Sequence, residues 1–392
     1  MHRLTRITRL IALAFLSLSL SLILVGCSDQ EKNGTELRIG LIAPITGPLS
    51  KVGKSSVEAA QLALQEINDS GALSIAGEPV RLVLLIEDNQ DQASMAVSAA
   101  LKLINRDRVN VIVGPQVSRN AIPAARVAER AEIPLISPGS THPDTTRDKN
   151  WVFRVAFIDT FQGRIMARFA REELKLQHVA LLFDISSEYN RGLAEVFRTT
   201  FEALGGEVVA FESYTRDAPD VREHLARIGA SGSPALFLPN YHNEVPGQVR
   251  QAKASGLQLQ LLGSDSWAQI PTVHRRIIEG AYFSTHYTSD STDSMAREFV
   301  SRYRLAYGRA PDDIAALTYD AFGLLLQAVK TQHSITPQAI RDGLAASNNY
   351  PGITGDVTYP GSGDPVKSAI VMQVRDGQFL FHSRVEPRKL AD

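Results

Sequence analysis

Hydroxyl side chains stand where two neighbouring strands of this sequence are predicted to end. Ser118 follows a predicted strand at Val109–Val113 and a Gly-Pro turn, where a helix should begin. Ser140 and Thr141 follow the next predicted strand, Ile133–Ile136, in a Pro-Gly turn. Hydroxyls beside the free N–H groups of a helix N-terminus suit a carboxylate. Ser118 could equally cap its own helix, and the second stretch could be an ordinary turn.

Two tyrosines and an aspartate hold similar places in the second half of the chain. Tyr189 opens a predicted helix after the strand Val179–Phe183. Tyr241 and Asp265 each lie just beyond a predicted strand. Ligands of open α/β sheets bind at the carboxyl ends of the strands, so all three are candidates for binding. The alternatives are packing for Tyr189 and a turn or helix cap for Asp265.

Short patterns that resemble nucleotide, metal or catalytic sites lack the spacing or the residues that such sites require. Gly47 and Gly53 flank five residues, whereas a phosphate-binding loop of the Walker type needs four. The run Asp88–Asp91 begins like a calcium loop but lacks its glycine and final glutamate, so we expect a solvated turn. The nine histidines are scattered, and no Gly-x-Ser-x-Gly motif occurs. We therefore predict no metal, no cofactor and no enzymatic activity.

Alternating strands and helices must position the candidate residues. The alternation runs from Leu37 to Ile136 and restarts after Phe153. It predicts an α/β fold of two doubly wound parallel-sheet lobes. A third stretch is predicted helical at Asp293–Tyr307 and Asp312–Val329, before a strand-rich tail that turns at Asp376-Gly377. No long linker separates the units, so the chain should cross between them in short hinge strands.

The first 27 residues differ from the rest of the chain. Three arginines precede an apolar run from Leu10 to Val25, the pattern of a signal peptide. A membrane anchor of that length is the alternative. The stretch Leu24-Val25-Gly26-Cys27 resembles the bacterial lipobox, which predicts a signal peptide over residues 1–26 and lipidation of Cys27. Residues 27–36 would then form a tether.

Cysteine and charge content agree with an exported, non-nucleic-acid-binding protein. Cys27 is the single cysteine among 392 residues, so no disulfide can form within the chain. Without the leader's three arginines the chain carries 38 basic and 42 acidic residues, a net charge of −4. That balance offers no basic face for nucleic acid. The hydrophobic content of 44% is typical of a folded soluble protein.

Taken in order, the loops between these elements resemble the leucine/isoleucine/valine-type binding proteins, the amino-acid branch of the type I periplasmic binding proteins. The similarity extends from about Leu37 to Phe381. The matching stretches are Ile39–Gly53, Gly114–Ala124, Leu135–Pro143, Phe153–Gly163, Tyr189–Ala194, Pro239–Ala252 and Gly263–Trp267. The resemblance implies a three-strand hinge, with residues 37–156 and 286–355 in one lobe and residues 157–285 and 356–385 in the other.

The resemblance also implies roles for individual residues. Ser118, the main chain of Ser140, and Thr141 would hold the backbone of a bound amino acid. Tyr189 and Tyr241 would close over it from the second lobe. Asp265 would pair with its α-ammonium group.

The chain departs from the family around the ligand's side chain. Val52 stands where the branched-chain binders place a large aromatic residue, and His242 follows Tyr241 where a second tyrosine is common. Trp267 is added near Asp265, and Arg119 follows Ser118 where small hydroxyl residues are more usual. Val52, His242 and Trp267 are therefore candidates for the side-chain pocket, which could accept a larger or more polar side chain than leucine.

The resulting hypothesis is an extracytoplasmic lipoprotein that captures an amino acid, branched-chain or related, and delivers it to an ABC importer. We expect a monomer that meets the membrane only through its lipid and its permease partner. One alternative is a ligand-sensing subunit of a membrane receptor or kinase. Another is a binder of an amide or other small carboxylate.

Overall fold

The computed structural model describes residues 35–291 and 293–387. The predicted signal peptide, Cys27 and most of the tether lie outside these residues. Within them, no helix is long and apolar enough to span a bilayer.

The first lobe is built on a six-stranded sheet. Its strands and helices are β1 (Thr35–Ala43), α1 (Ser50–Ser70), β2 (Ser74–Ile75), β3 (Glu78–Asp88), α2 (Ala93–Asn105), β4 (Val111–Val113), α3 (Ser118–Ala131), β5 (Leu135–Ser137) and β6 (Val152–Arg154). The strand order is β2-β3-β1-β4-β5-β6, parallel except for the short β2. Most of β1 is buried on both faces, as expected of a central strand covered by helices on both sides.

The second lobe is built on a seven-stranded sheet. Its elements are α4 (Asp159–Arg168), β7 (His178–Asp184), α5 (Glu188–Ala203), β8 (Glu207–Tyr214), α6 (Arg222–Ala230), β9 (Ala235–Leu238), α7 (Val245–Ala254), β10 (Gln260–Gly263), α8 (Thr272–Arg275) and β11 (Tyr282–Thr285). With the later hairpin β12 (Ala369–Arg375) and β13 (Gln378–Val385), the order is β13-β12-β11-β10-β9-β7-β8. Only the hairpin pairs antiparallel. The prediction of two parallel-sheet lobes is confirmed.

The third helical stretch returns to the first lobe. It comprises α9 (Ser294–Tyr307), α10 (Asp313–Gln332) and α11 (Pro337–Ala345). Leu317, Phe322 and Leu325 of α10 pack in the same core as Ile39 and Leu41 of β1. The predicted helices α9 and α10 are therefore confirmed, whereas α11 was not foreseen. The predicted turn at Asp376-Gly377 joins β12 to β13, and both of its residues have positive φ.

Over the described residues, 35–291 and 293–387, the chain crosses between the lobes three times. Each crossing lies between a core residue of one lobe and a core residue of the other. In chain order the pairs are Val155 and Phe157, Phe283 and Tyr287, and Tyr359 and Ala369. Tyr359 also donates a hydrogen bond to the Arg154 carbonyl at 2.8 Å. We therefore propose that the last crossing lies between residues 359 and 369 rather than at residue 355.

Candidate functional site

A cavity lies between the lobes, at the carboxyl ends of both sheets' strands. The cavity is narrow, with a volume of about 30 Å³, which is below the range of small-molecule sites. Its walls are formed by Leu49, Val52, Gln116, Val117, Ser118, Gly139, Thr141, Tyr189, Tyr241, His242, Asp265, Ser266, Gln269, Asp313 and Ile314. A larger hollow of about 590 Å³ lies on the surface beside α7, but none of the residues predicted for binding lines it. The structure thus brings Ser118, Thr141, Tyr189, Tyr241 and Asp265 to one cavity.

Ser118 is the first residue of α3 and is buried. Its hydroxyl oxygen accepts hydrogen bonds from the Ser140 hydroxyl at 3.0 Å and the His142 amide at 3.3 Å. Val117 occupies the N-cap position, and no side chain caps the helix. Ser118 therefore does not cap its own helix. The first turn of α3 offers backbone N–H groups and the positive end of its dipole at the cavity wall.

A buried arginine donates hydrogen bonds to the main chain of the loop after β5. Arg154 Nη1 donates to the Ser140 carbonyl and Nη2 to the His142 carbonyl, both at 2.9 Å. Thr141 lines the cavity from this loop. Gly139 lines it as well, while the Ser140 hydroxyl bonds to Ser118 and Thr145 behind the wall. Within this loop, the main chain that faces the cavity beside Thr141 is therefore that of Gly139. The family resemblance implied the main chain of Ser140 instead.

On the opposite wall, Tyr189 and Asp265 are joined directly. The Tyr189 hydroxyl donates to Asp265 Oδ1 at 2.6 Å. Tyr189 lies in the first turn of α5, and Asp265 begins a short 3-10 turn after β10. The Tyr241 ring lies 5.1 Å from the Tyr189 ring, which fits an aromatic pair closing one side of the cavity.

Further residues hold Asp265 in place, and sequence reasoning missed them. The Asp265 amide donates to Gln162 Oε1 at 2.7 Å, and the Ser284 hydroxyl donates to the same oxygen at 2.7 Å. His286 Nε2 lies 3.3 Å from Asp265 Oδ2. Ser284 and His286 stand at the carboxyl end of β11, so recognising that strand would have found them.

Asp159 is a second buried acid beside this network. Its carboxylate accepts from Gln162 Nε2 at 3.3 Å. Burial, and then the like charge of Asp265, raise the pKa of Asp159 from its ordinary 3.8 to about 8. Below about pH 8, the native protein therefore favours the protonated form of Asp159.

This raised pKa predicts a pH-dependent stability. Because the folded-state pKa exceeds the unfolded one, the native state binds more protons between about pH 4 and pH 8, and the free energy of unfolding falls as pH rises through that range. We expect Asp159→Asn to remove this loss, leaving the variant more stable than the wild type at pH 8 and similar at pH 4. Denaturant unfolding without ligand across this range tests it. The exposed control Asp217→Asn should follow the wild-type profile. Parallel profiles for wild type and Asp159→Asn would refute the assignment.

Of the three residues expected around the ligand's side chain, two line the cavity and one does not. Val52 and His242 line the cavity. The structure corrects the place of Trp267, which is fully buried in the second lobe's core and donates its indole N–H to the Leu238 carbonyl at 3.1 Å. It packs over Gly263, where an added Cβ would lie 2.2 Å from the indole. Trp267 is therefore a core residue.

The turn at Asp88–Asp91 was expected to be solvated, but its last residue is buried and bonded to the first turn of α3. Asp91 is buried and accepts hydrogen bonds from Arg119 Nε at 2.8 Å and Asn120 Nδ2 at 3.1 Å. The paired Arg119 guanidinium lies 4.2 Å from the centre of the Tyr241 ring, a cation–π contact across the cleft. Asp91 thus positions a first-lobe cation against a second-lobe aromatic residue.

Other contacts also join the lobes beside the cavity. Lys51 Nζ donates to the Gln269 carbonyl at 2.8 Å, and the Gln269 amide group donates to Asp313. Arg216 Nη1 lies 3.6 Å from Asp91 Oδ2. The loop from Gly47 to Gly53, whose spacing excludes a phosphate-binding loop, supplies Leu49 and Val52 to the cavity wall. The lobes are therefore in contact across the cleft.

Fold and cavity together define a class: a two-lobed α/β binding protein with its site between the lobes. The model of the periplasmic binding protein family matches residues 36–378, so the chain belongs to that family. The family consists of solute-binding proteins rather than enzymes and implies an extracytoplasmic location.

The relatives and solved structures that this chain resembles include several amino-acid-binding proteins. A leucine-, isoleucine-, valine-, threonine- and alanine-binding protein of Pseudomonas aeruginosa is 25% identical over 345 residues, covering 87% of this chain and 90% of that protein. A leucine-binding protein from Thermotoga maritima superposes with a TM-score of 0.84 at 30% identity, over 90% of this chain and all of its own. A branched-chain amino acid binding protein from Streptococcus pneumoniae, in complex with isoleucine, gives a TM-score of 0.80 at 28% identity, over 90% and 99% of the two chains. The predicted family resemblance is confirmed.

Proposed function

We propose that this protein captures an amino acid between its lobes, outside the cytoplasmic membrane, and delivers it to an ABC importer. The observation that carries the proposal is the arrangement of the cavity. Hydroxyls and a helix N-terminus at Ser118 and Thr141 face an acid, Asp265, on the opposite wall. The amino-acid binding stated for the relatives supports the same conclusion.

The two ends of an amino acid match the two walls. A zwitterion in a closed cleft loses water at its carboxylate and at its ammonium, so each charge needs a replacement partner. The N–H groups of α3 with the hydroxyls of Ser118 and Thr141 serve the carboxylate. Asp265 serves the ammonium, oriented by Tyr189 and His286. Hydrogen bonds to charged groups contribute roughly 1.5–3 kcal/mol each, so three or four are consistent with micromolar or tighter affinity.

Ligand binding would favour the closed arrangement of the lobes. The carboxylate partners belong to the first lobe and the ammonium partners to the second, so one ligand contacts both lobes only when they are together. The three crossings of the chain are short enough to act as a hinge. The cation–π contact of Arg119 with Tyr241 and the hydrogen bond of Lys51 to Gln269 also form only on closure. The importer would then recognise the closed form.

Anchoring and assembly complete the proposal. A lipid on Cys27 would tether the protein to the membrane, and the chain would act as a monomer with its permease as partner. The lobes would comprise residues 37–156 with about 286–365, and residues 157–285 with about 366–385.

A thermal-shift screen tests the ligand class. The purified protein, freed of co-purified ligand by unfolding and refolding, is melted with each of the twenty amino acids. A ligand at a hundred times its dissociation constant adds about 2.7 kcal/mol of stability, which raises the melting temperature by several degrees. We expect at least one amino acid to do so, and its decarboxylated and N-acetylated analogues to have no effect. A panel that leaves the melting temperature unmoved would overturn the proposal.

A further inference from the structure

Polar side chains that make no proposed bond to the ligand's carboxylate or ammonium also line the cavity. Gln116, His242 and Gln269 are 1%, 4% and 2% exposed, and Tyr241 is 5% exposed. All four line the cavity together with Asp313. The side chains of leucine, isoleucine and valine, which are named for the relatives, have no polar group that could bond to them.

Several polar atoms of these side chains are unpaired. Both amide atoms of Gln116, Oε1 of Gln269, Nδ1 of His242 and the Tyr241 hydroxyl are buried with no hydrogen-bond partner within residues 35–291 and 293–387. Leaving a buried donor or acceptor unpaired destabilises a protein by roughly 1–3 kcal/mol. Five such atoms around one cavity indicate that a bound molecule is meant to pair with them.

The donors and acceptors match an amide. Gln116 presents an N–H donor and an oxygen acceptor side by side, the complement of another carboxamide. Gln269 Oε1 accepts, because its amide nitrogen already donates to Asp313. A ligand carboxamide offers two N–H donors and one oxygen with two lone pairs, more than the single hydroxyl of serine or threonine. Leu49, Val52, Val117 and Ile314 supply apolar wall for the methylenes that precede it.

The charges near these polar side chains argue against an ionised ligand side chain. Burial, and then Lys51 and Arg119, lower the pKa of His242 to about 3, which keeps the imidazole neutral. Burial, and then Asp312, raise the pKa of Asp313 to about 8. Arg119 is already paired with Asp91, and Lys51 already donates to the Gln269 carbonyl. Among the described residues no lysine or arginine lines the cavity, Asp313 is neutral, and Asp265 serves the ammonium. An ionised ligand side chain would therefore lose its water here without an opposite charge on the wall to replace it.

We propose that the ligand carries a neutral carboxamide side chain, as in asparagine or glutamine, which pairs with Gln116 and Gln269. The inference rests on the proposed function, because the same cavity must hold the amino acid's backbone at Asp265 and Ser118. It separates this chain from its relatives by the class of side chain that it selects.

Isosteric ligands test the inference directly. Leucine, asparagine and aspartate share one side-chain shape. Glutamine and glutamate share a second, and methionine is an unbranched apolar counterpart of similar length. We expect calorimetry on the ligand-free protein to show asparagine or glutamine binding at least tenfold more tightly than its apolar and its acidic counterpart, since a site built for hydrogen bonds rejects a ligand that lacks them. Equal or tighter binding of leucine, methionine or any other amino acid would overturn the inference while leaving the proposed function intact. No binding of any amino acid would overturn both.

A variant identifies the group that reads the amide. Gln116→Met keeps the length of the side chain and removes both amide atoms. It should weaken amide binding at least tenfold and leave the apolar counterpart's affinity unchanged or increased. The exposed control Gln338→Met, on α11, should change neither. If Gln116→Met lowers both affinities by the same factor, its role is structural and the amide pairing is wrong.

Discussion

Replacing Asp265 with asparagine is expected to lower the affinity for the bound amino acid about thirtyfold or more. The substitution keeps the size of the side chain and an oxygen that can accept the Tyr189 hydrogen bond, but it removes the negative charge. Truncating one partner of a buried, hydrogen-bonded charge pair weakens binding by roughly 2–5 kcal/mol, mostly because the other charge is left unpaired. Here the ligand's ammonium would be the unpaired group. Calorimetry with the best amino acid of the panel measures the change.

The controls separate loss of charge from loss of fold. Asp217 lies on the exposed surface of the same lobe, so Asp217→Asn should bind like the wild type. The melting temperature of ligand-free Asp265→Asn should stay close to that of the wild type or rise, because the variant removes a buried charge beside Asp159. An unchanged affinity in Asp265→Asn would exclude Asp265 from the ammonium site.

The backbone end of the site could be predicted because one geometric rule governs it. Parallel strands end at a common edge, so residues just past successive strands are brought together whatever their distance in sequence. Ser118 after β4, Tyr241 after β9 and Asp265 after β10 follow this rule. All three line the cavity.

The side-chain end followed no such rule. Gln269 and Asp313 meet because the chain crosses the hinge between them and α10 begins beside the cleft. No periodicity connects two residues on opposite sides of a hinge. Trp267 shows the converse difficulty. It lies two residues after Asp265, but their shared 3-10 turn sends the indole into the core, where Gly263 leaves space.

Arg154 is a further residue that spacing alone could not single out, since arginine on a buried strand contradicts the apolar pattern of β6. It is fully buried, yet its Nη2 donates to the Thr146 hydroxyl at 2.6 Å and to the His142 carbonyl at 2.9 Å. Its Nε lies 2.7 Å from Asp364 Oδ1, an ion pair oriented poorly for a hydrogen bond. One guanidinium therefore ties the Thr141 loop to a segment more than 200 residues later in the chain.

We accordingly expect Arg154→Met to lower the free energy of unfolding by about 3 kcal/mol or more, as for other buried pairs that lose one partner. The loss arises because the carbonyls of Ser140 and His142 keep their buried positions without a donor. Denaturant unfolding measures it, with Arg147→Met as the matched control. The Arg147 side chain is 60% exposed and paired with Asp144, so its removal should change stability by less than about 1 kcal/mol. Arg154→Lys keeps the charge but not the planar fork, and it should recover less than half of the loss. Equal effects of Arg154→Met and Arg147→Met would show that the loop bearing Thr141 holds its shape without this cross-link.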